Sequence, residues 1–159
     1  MKNKDEKLNL YLLWLLFGQA RHLTLRVRQK ELLQYGITPR QAGLLWVIPT
    51  LGKSATSAEI ARCVGREAHT ISSNLNTMER HGIIERVRDL DKKNLVRIAL
   101  TKKGKQLAKK AQKIESVIKI MSTLSEQDCQ RLKSILDKMR DAAINELGIK
   151  FRSPYQLSE

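Results

Sequence analysis

The spacing of apolar residues changes several times along the chain, and each change marks a new element. From Leu8 to about Leu33 helix breakers are scarce and strong helix formers abundant, which predicts a long first helix. Its first half is apolar around most of its circumference, through Leu10, Leu12, Leu13, Trp14, Leu15, Leu16 and Phe17. A helix hydrophobic all round needs cover on more than one side, and in a chain this small a second copy is the natural cover. Gly36 stops that helix. Thr38 and Pro39 open the next, as N-cap and first helical residue, and Leu44, Leu45, Val47, Ile48 and Leu51 form its stripe. Gly52-Lys53-Ser54 reads as a turn.

Thr56 and Glu59 have the spacing of a capping box and open a short helix carrying Ile60, Ala61 and Val64. After Gly65 a further helix is expected from about Arg66 to His81, with Ile71, Leu75 and Met78 on one face and Gly82 as its stop. Two short helices around a tight turn make a helix-turn-helix candidate. The period then drops to two. Ile83 to Arg88 is β-prone, and Val96, Ile98 and Leu100 alternate with Arg97 and Ala99, so a hairpin with a charged tip at 89–94 is expected. Thr101 caps the next helix, read as one stripe through Leu107, Ala111, Ile114, Ile118 and Met121. Ser125, with Asp128 three positions on, opens a last helix carrying Leu132, Ile135, Leu136, Met139, Ala143 and Leu147.

Composition sharpens this picture. Among 159 residues, 30 Lys and Arg against 16 Asp and Glu leave a net charge of +14, and 42% of the chain is hydrophobic. A core is affordable, and an excess of positive charge this large points to a polyanion, with nucleic acid ahead of an anionic membrane. The run Leu10–Phe17 is far short of the ~20 residues that span a bilayer. Met1 to Lys7 does not read as a signal peptide, so the expected compartment is the cytoplasm, with Cys63 and Cys129 as reduced thiols of unassigned role.

The helix from Arg66 to His81 carries the chemistry. At about 3.6 residues per turn, the side opposite Ile71, Leu75 and Met78 displays His69, Ser73, Asn76 and Arg80, flanked by Arg66, Thr70, Ser72 and Thr77. Short hydrogen-bonding side chains with cations at the ends let a helix sit deep in a major groove and address base edges and phosphates. A merely solvated helix in a basic protein would show Glu and Lys there instead. Arg86, Arg88, Lys92 and Lys93 on and around the hairpin tip suit a minor groove or its flanking phosphates.

The order of elements, and the motifs Thr38-Pro39-x-Gln41-x-x-Leu44-Leu45, Ser57-x-Glu59-Ile60-Ala61, His69-Thr70-Ile71-Ser72-x-x-Leu75, Met78-Glu79-x-x-Gly82-Ile83-Ile84-Glu85-Arg86 and Ala99-Leu100-Thr101-x-x-Gly104, resemble the MarR family of transcriptional regulators over roughly Leu8 to Leu147. The resemblance implies a mainly α fold with a small β-wing: a winged helix-turn-helix with long N- and C-terminal dimerisation helices. The expected division is a dimerisation helix at 1–35, a DNA-binding lobe at 38–101, C-terminal dimerisation helices at 102–148 and a loosely ordered tail at 149–159. It further implies a homodimer on pseudo-palindromic double-stranded DNA, acting as a repressor relieved by a small aromatic ligand. Reader positions fall on His69, Thr70, Ser72, Ser73 and Asn76. Many members carry Arg where Ser73 stands, and the wing motif Asp-x-Arg is met here by Asp91-Lys92-Lys93, whose lysines lack the guanidinium fork. Trp14, Phe17 and Trp46 are candidates to line a ligand cleft, with ordinary core as the competing assignment.

An enzyme is not expected. His22, His69 and His81 lie on different predicted faces without a matched nucleophile or carboxylate, and neither a phosphate-binding glycine loop nor a paired-cysteine metal motif is present, so no cofactor or metal is expected. The competing function is a winged-helix protein that binds DNA without sequence preference.

Overall fold

The first helix, α1 (Lys4–Leu33), runs for 30 residues because no proline interrupts it. The structure, a computed structural model, describes residues 3–88, 95–151, 153 and 154. It divides into two compact units. One combines α1 with α6 (Glu115–Met121). The other holds α2 (Pro39–Leu51), α3 (Ser57–Val64), α4 (Ala68–Arg80), β1 (Ile84–Arg88), β2 (Val96–Leu100), α5 (Lys102–Ala111) and α7 (Glu126–Leu147).

In the first unit α1 buries only Leu32, and every residue from Leu10 to Phe17 is exposed, Leu13 by 61% and Trp14 by 60%. Tyr11 and Trp14 stack one turn apart, ring centroids 6.0 Å apart. The stripe from Leu107 to Met121, expected as one helix, is broken: α5 ends at Ala111, and α6 begins after Ile114, whose φ of 45° is left-handed. A β-branched residue there is strained by about 1–3 kcal/mol. Glu31 near the end of α1 supplies what Ile114 cannot. Its carboxylate accepts from the amides of Glu115 (2.9 Å) and Ser116 (3.3 Å) and from the Ser116 hydroxyl, while Arg28 pairs with it at 2.6 Å. A carboxylate suits the positive end of a helix.

The second unit builds the winged helix. Pro39 starts α2, and Leu44, Leu45, Val47 and Ile48 are buried. Gly52–Ser54 forms a single 3-10 turn. Thr56 accepts from the Glu59 amide, but its own amide goes to the Ser54 carbonyl and the Glu59 carboxylate pairs with Arg62. Only the forward half of the expected capping box forms. Gly65, at φ 62°, turns the chain from α3 into α4, and the Phe151 ring lies 3.0 Å from where a Cβ on Gly65 would stand. Phe151, Ser153 and Pro154, the described part of the expected loose tail beyond Lys150, are half-buried.

Ile71, Leu75 and Met78 of α4 are buried with Ile60, Ala61 and Cys63 of α3. The strands pair antiparallel from Ile84↔Leu100 to Arg88↔Val96. Ile98 and Leu100 are buried as expected, but Val96 is exposed, because it pairs with Arg88 at the outer end of the ladder, beyond the core. The Ile98 amide donates to Ala55 at 2.7 Å and ties the wing to the loop before α3. The tip, 89–94, lies outside the described residues. Ser125 and Asp128 form the expected capping box of α7, which buries none of its residues and leaves Ile135, Leu136, Met139 and Leu147 exposed.

The junction of α4, β1 and α5 is tightly bonded. The Thr101 hydroxyl donates to Gly82 (2.7 Å) and accepts from the Gly104 amide (3.1 Å), and Lys103 Nζ donates to the His81 carbonyl at the end of α4 (2.8 Å). A Cβ on Gly104 would stand 2.0 Å from the Ile83 carbonyl, so only glycine permits this approach. Gly104→Ala is therefore expected to destabilise the fold by about 1–3 kcal/mol. Gly43→Ala, in α2 with open space around the new methyl, should instead stabilise by about 0.5–1 kcal/mol. Urea unfolding of both variants checks the contrast; equal midpoints would refute the steric account.

Burial pushes the Glu31 carboxyl up, but hydrogen bonds from Ser116 and Arg28 and the charge of Arg28 outweigh it and hold the group below its ordinary value of 4.5. A depressed acid stabilises the fold above the unfolded value and loses that contribution as pH falls through the folded one. Protection of the Glu115 and Ser116 amides against hydrogen exchange is expected to persist down to about pH 4.5 and to fall below it. Glu31→Gln should lower the same protection at neutral pH; unchanged protection in that variant would remove the cap.

Candidate nucleic-acid interface

The buried stripe of α4 decides what the helix shows to solvent. With Ile71, Leu75 and Met78 inside, His69, Ser73, Asn76 and Arg80 are exposed, and Thr70, Ser72 and Thr77 are half-buried at the flanks. Arg66 stands exposed just before the helix. The face predicted from helical spacing is thus assembled as one surface.

Several groups on and beside this face are already held. Asn74 Nδ2 donates to the Thr70 carbonyl (2.6 Å), the Thr77 hydroxyl donates to the Ser73 carbonyl (3.1 Å), and Arg80 donates to the Thr77 hydroxyl (3.2 Å). His69 Nε2 lies 3.3 Å from the Thr70 hydroxyl. The face is an ordered array of neutral donors and acceptors, bounded by Arg66 and Arg80.

Arg86 on β1 does not stand apart on the wing. One guanidinium nitrogen donates to Asn76 Oδ1 at 2.7 Å and another pairs with the Glu79 carboxylate. Arg88, at the end of the same strand, is exposed. Lys92 and Lys93 lie outside the described residues. Sequence reasoning missed Glu79 and Lys103. Glu79 reaches Arg86 across a helix end, a turn and a strand, so no helical or strand spacing links them; the only available signal was its position one turn after Asn76.

The three aromatic candidates fall on different elements. Trp14 and Phe17 are exposed on α1, and Trp46 is exposed on α2. Within the second unit a cavity of about 740 Å³ is lined by Leu51, Lys53, Ser54, Arg62, Cys63 and Pro154, among others, and by none of these aromatics. Cys63 is buried and Cys129 half-buried, and neither is part of a disulfide. Among the described residues no group of three or more His, Cys, Asp or Glu is placed to hold a metal, and no helix is long and apolar enough to cross a membrane.

Helix-turn-helix, two-stranded wing and exposed polar helix together define a winged helix-turn-helix protein. Residues 35–94 match the sequence model of the MarR family. The ligand-bound organohalide-sensing regulator RdhR, solved with 2,4-dichlorophenol, is 25% identical with a TM-score of 0.81, and the match covers 99% of this chain and 96% of that one. MepR of S. aureus, solved with DNA, is 28% identical with a TM-score of 0.73, over 80% of this chain and 95% of that one. A mutant MarR from E. coli, solved with operator DNA, shares the fold at 18% identity and a TM-score of 0.73, over 82% and 95%. Comparison with curated proteins gives no match. These comparisons show a MarR-family sequence match over residues 35–94, and along most of its length the chain shares the fold of RdhR and MepR.

Proposed function

We propose that the protein is a homodimeric regulator that binds operator sites in double-stranded DNA through α4, acts as a repressor in the cytoplasm, and releases DNA on binding a small aromatic ligand. The observation that carries this reading is the exposed polar face of α4, neutral at its centre and cationic at its ends, held outward by a buried apolar stripe. Solved relatives support it: MepR and MarR were captured on DNA, and RdhR was captured with a chlorinated phenol. His69, Thr70, Ser72, Ser73 and Asn76 are the proposed readers. Arg66, Arg80 and Arg88, with Lys92 and Lys93, are the proposed phosphate contacts. Trp14, Phe17 and Trp46 remain the proposed aromatic contacts of a ligand.

The net charge of +14 also supports an architectural protein that coats DNA without preference, and titration against salt separates the two. A dimer making about 6–10 phosphate contacts loses roughly 10³–10⁵ in affinity between 50 and 200 mM salt. An operator recovered by selection from genomic fragments should bind at least about 10³ tighter than random duplex. A steep salt response without that margin favours the coating protein. A flat response rejects DNA binding.

Dimerisation follows from the apolar surface that α1 leaves in water. Leu13→Glu or Leu16→Glu is expected to give monomers or aggregates by light scattering. A soluble, stable dimer from either variant would move the interface elsewhere.

A further inference from the structure

We propose that Arg86 is a positioning residue for base recognition: it fixes the Asn76 amide so that Asn76 offers only its Nδ2 donors to DNA, and so selects a base carrying an acceptor in the major groove. The inference rests on the DNA-binding reading above and deepens it.

The Arg86 guanidinium bridges two acceptors one helical turn apart, Asn76 Oδ1 at 2.7 Å and the Glu79 carboxylate. The Glu79 ion pair anchors the guanidinium, with side-chain exposures of only 31% for Arg86 and 37% for Glu79. Against an anchored, all-donor group, one orientation of the Asn76 amide is favourable. Turned over, its NH2 would face N–H groups, donor against donor. The carbonyl is therefore drawn to Arg86 and the NH2 is left for a ligand on the exposed side of α4.

This changes what Asn76 can read. The bidentate contact of asparagine with adenine uses the carbonyl to accept from N6 and the amide to donate to N7. With the carbonyl engaged by a cation, Asn76 becomes a donor. Its partners are then O6 and N7 of guanine or O4 of thymine; adenine keeps only the bond to N7 and loses the one from N6, and the N4 amine of cytosine is disfavoured. Arg86 acts on the base through Asn76, without contributing a phosphate contact of its own.

The experiment selects bound duplexes from a random pool with the wild-type chain and with Arg86→Lys, Arg86→Gln, Glu79→Gln and Asn76→Asp, and titrates each on random duplex against salt. The wild type should enrich guanine or thymine at one position of each half-site. Arg86→Lys keeps the charge but replaces the rigid planar fork with one ammonium on a flexible stem, and Glu79→Gln loosens the anchor; both should relax that preference by roughly 5- to 150-fold. Arg86→Gln should do the same while leaving the salt slope on random duplex unchanged, whereas loss of a phosphate contact lowers that slope by about 0.9. Asn76→Asp keeps the fork and removes the donor, so it loses the preference in a protein of unaltered fold. Retention of the preference in Arg86→Lys or Asn76→Asp, or a reduced salt slope in Arg86→Gln, overturns the inference and leaves DNA binding standing. A wild-type chain that binds no duplex overturns the underlying reading, and the inference with it.

Discussion

The burial of Ile71, Leu75 and Met78 against the residues of α3 constrains everything that follows in the winged lobe. Each such side chain withdrawn from water contributes on the order of 1.5–3 kcal/mol, so the rotation of α4 about its own axis is fixed by several kcal/mol. A helix has one rotational setting that buries a given stripe. Once that setting is chosen, His69, Ser73, Asn76 and Arg80 must face solvent together. The polar face needs no interaction of its own to be presented; it is displayed by what lies behind it.

Position along the axis needs separate control, because an apolar stripe tolerates small sliding. The bonds at the end of α4 supply it. Lys103 Nζ donates to the His81 carbonyl, Thr101 reaches the Gly82 carbonyl, and Gly104 brings α5 close enough for both. A cation at a helix C-terminus also opposes the negative end of the helix dipole. At the other end Gly65, in the left-handed region, reverses the chain into α4 beneath the Phe151 ring. Between them the Arg86 bridge to Asn76 and Glu79 couples the middle of the helix to the wing strand.

Much of this was legible before any coordinates. The stripes of α2 and α4, the Thr101 and Ser125 caps, the stops at Gly65 and Gly82 and the exposed face of α4 all follow from local rules of periodicity and capping. What escaped depends on contacts between residues distant in sequence. The break before α6 carries neither Gly nor Pro, and Ile114 adopts a left-handed φ where Glu31, more than eighty residues away in sequence, caps the new helix. A period of three and four ran through that break undisturbed. Val96 kept the alternation of a buried strand but belongs to the last described pair of the ladder, with Arg88, and is exposed. Arg86 read as one more cation of the wing, because its acidic partner sits on another element.

That last misreading bears on how charge and recognition divide their work. A net charge of +14 draws any nucleic acid at long range, and salt screens it over about 8–10 Å. It carries no sequence information, so affinity and discrimination must come from different groups. Arg66 just before α4 and Arg80 at its end are the cations, and neutral groups stand between them, the Thr77 hydroxyl held by a hydrogen bond to the Ser73 carbonyl. A neutral group whose orientation is set in advance discriminates by the polarity of its partner, since a donor facing a donor loses a hydrogen bond that water had supplied. An arginine consumed in setting that orientation adds little to attraction. Its contribution is to make a flexible amide present one polarity instead of two, and selectivity for a base edge requires that restriction before contact is made.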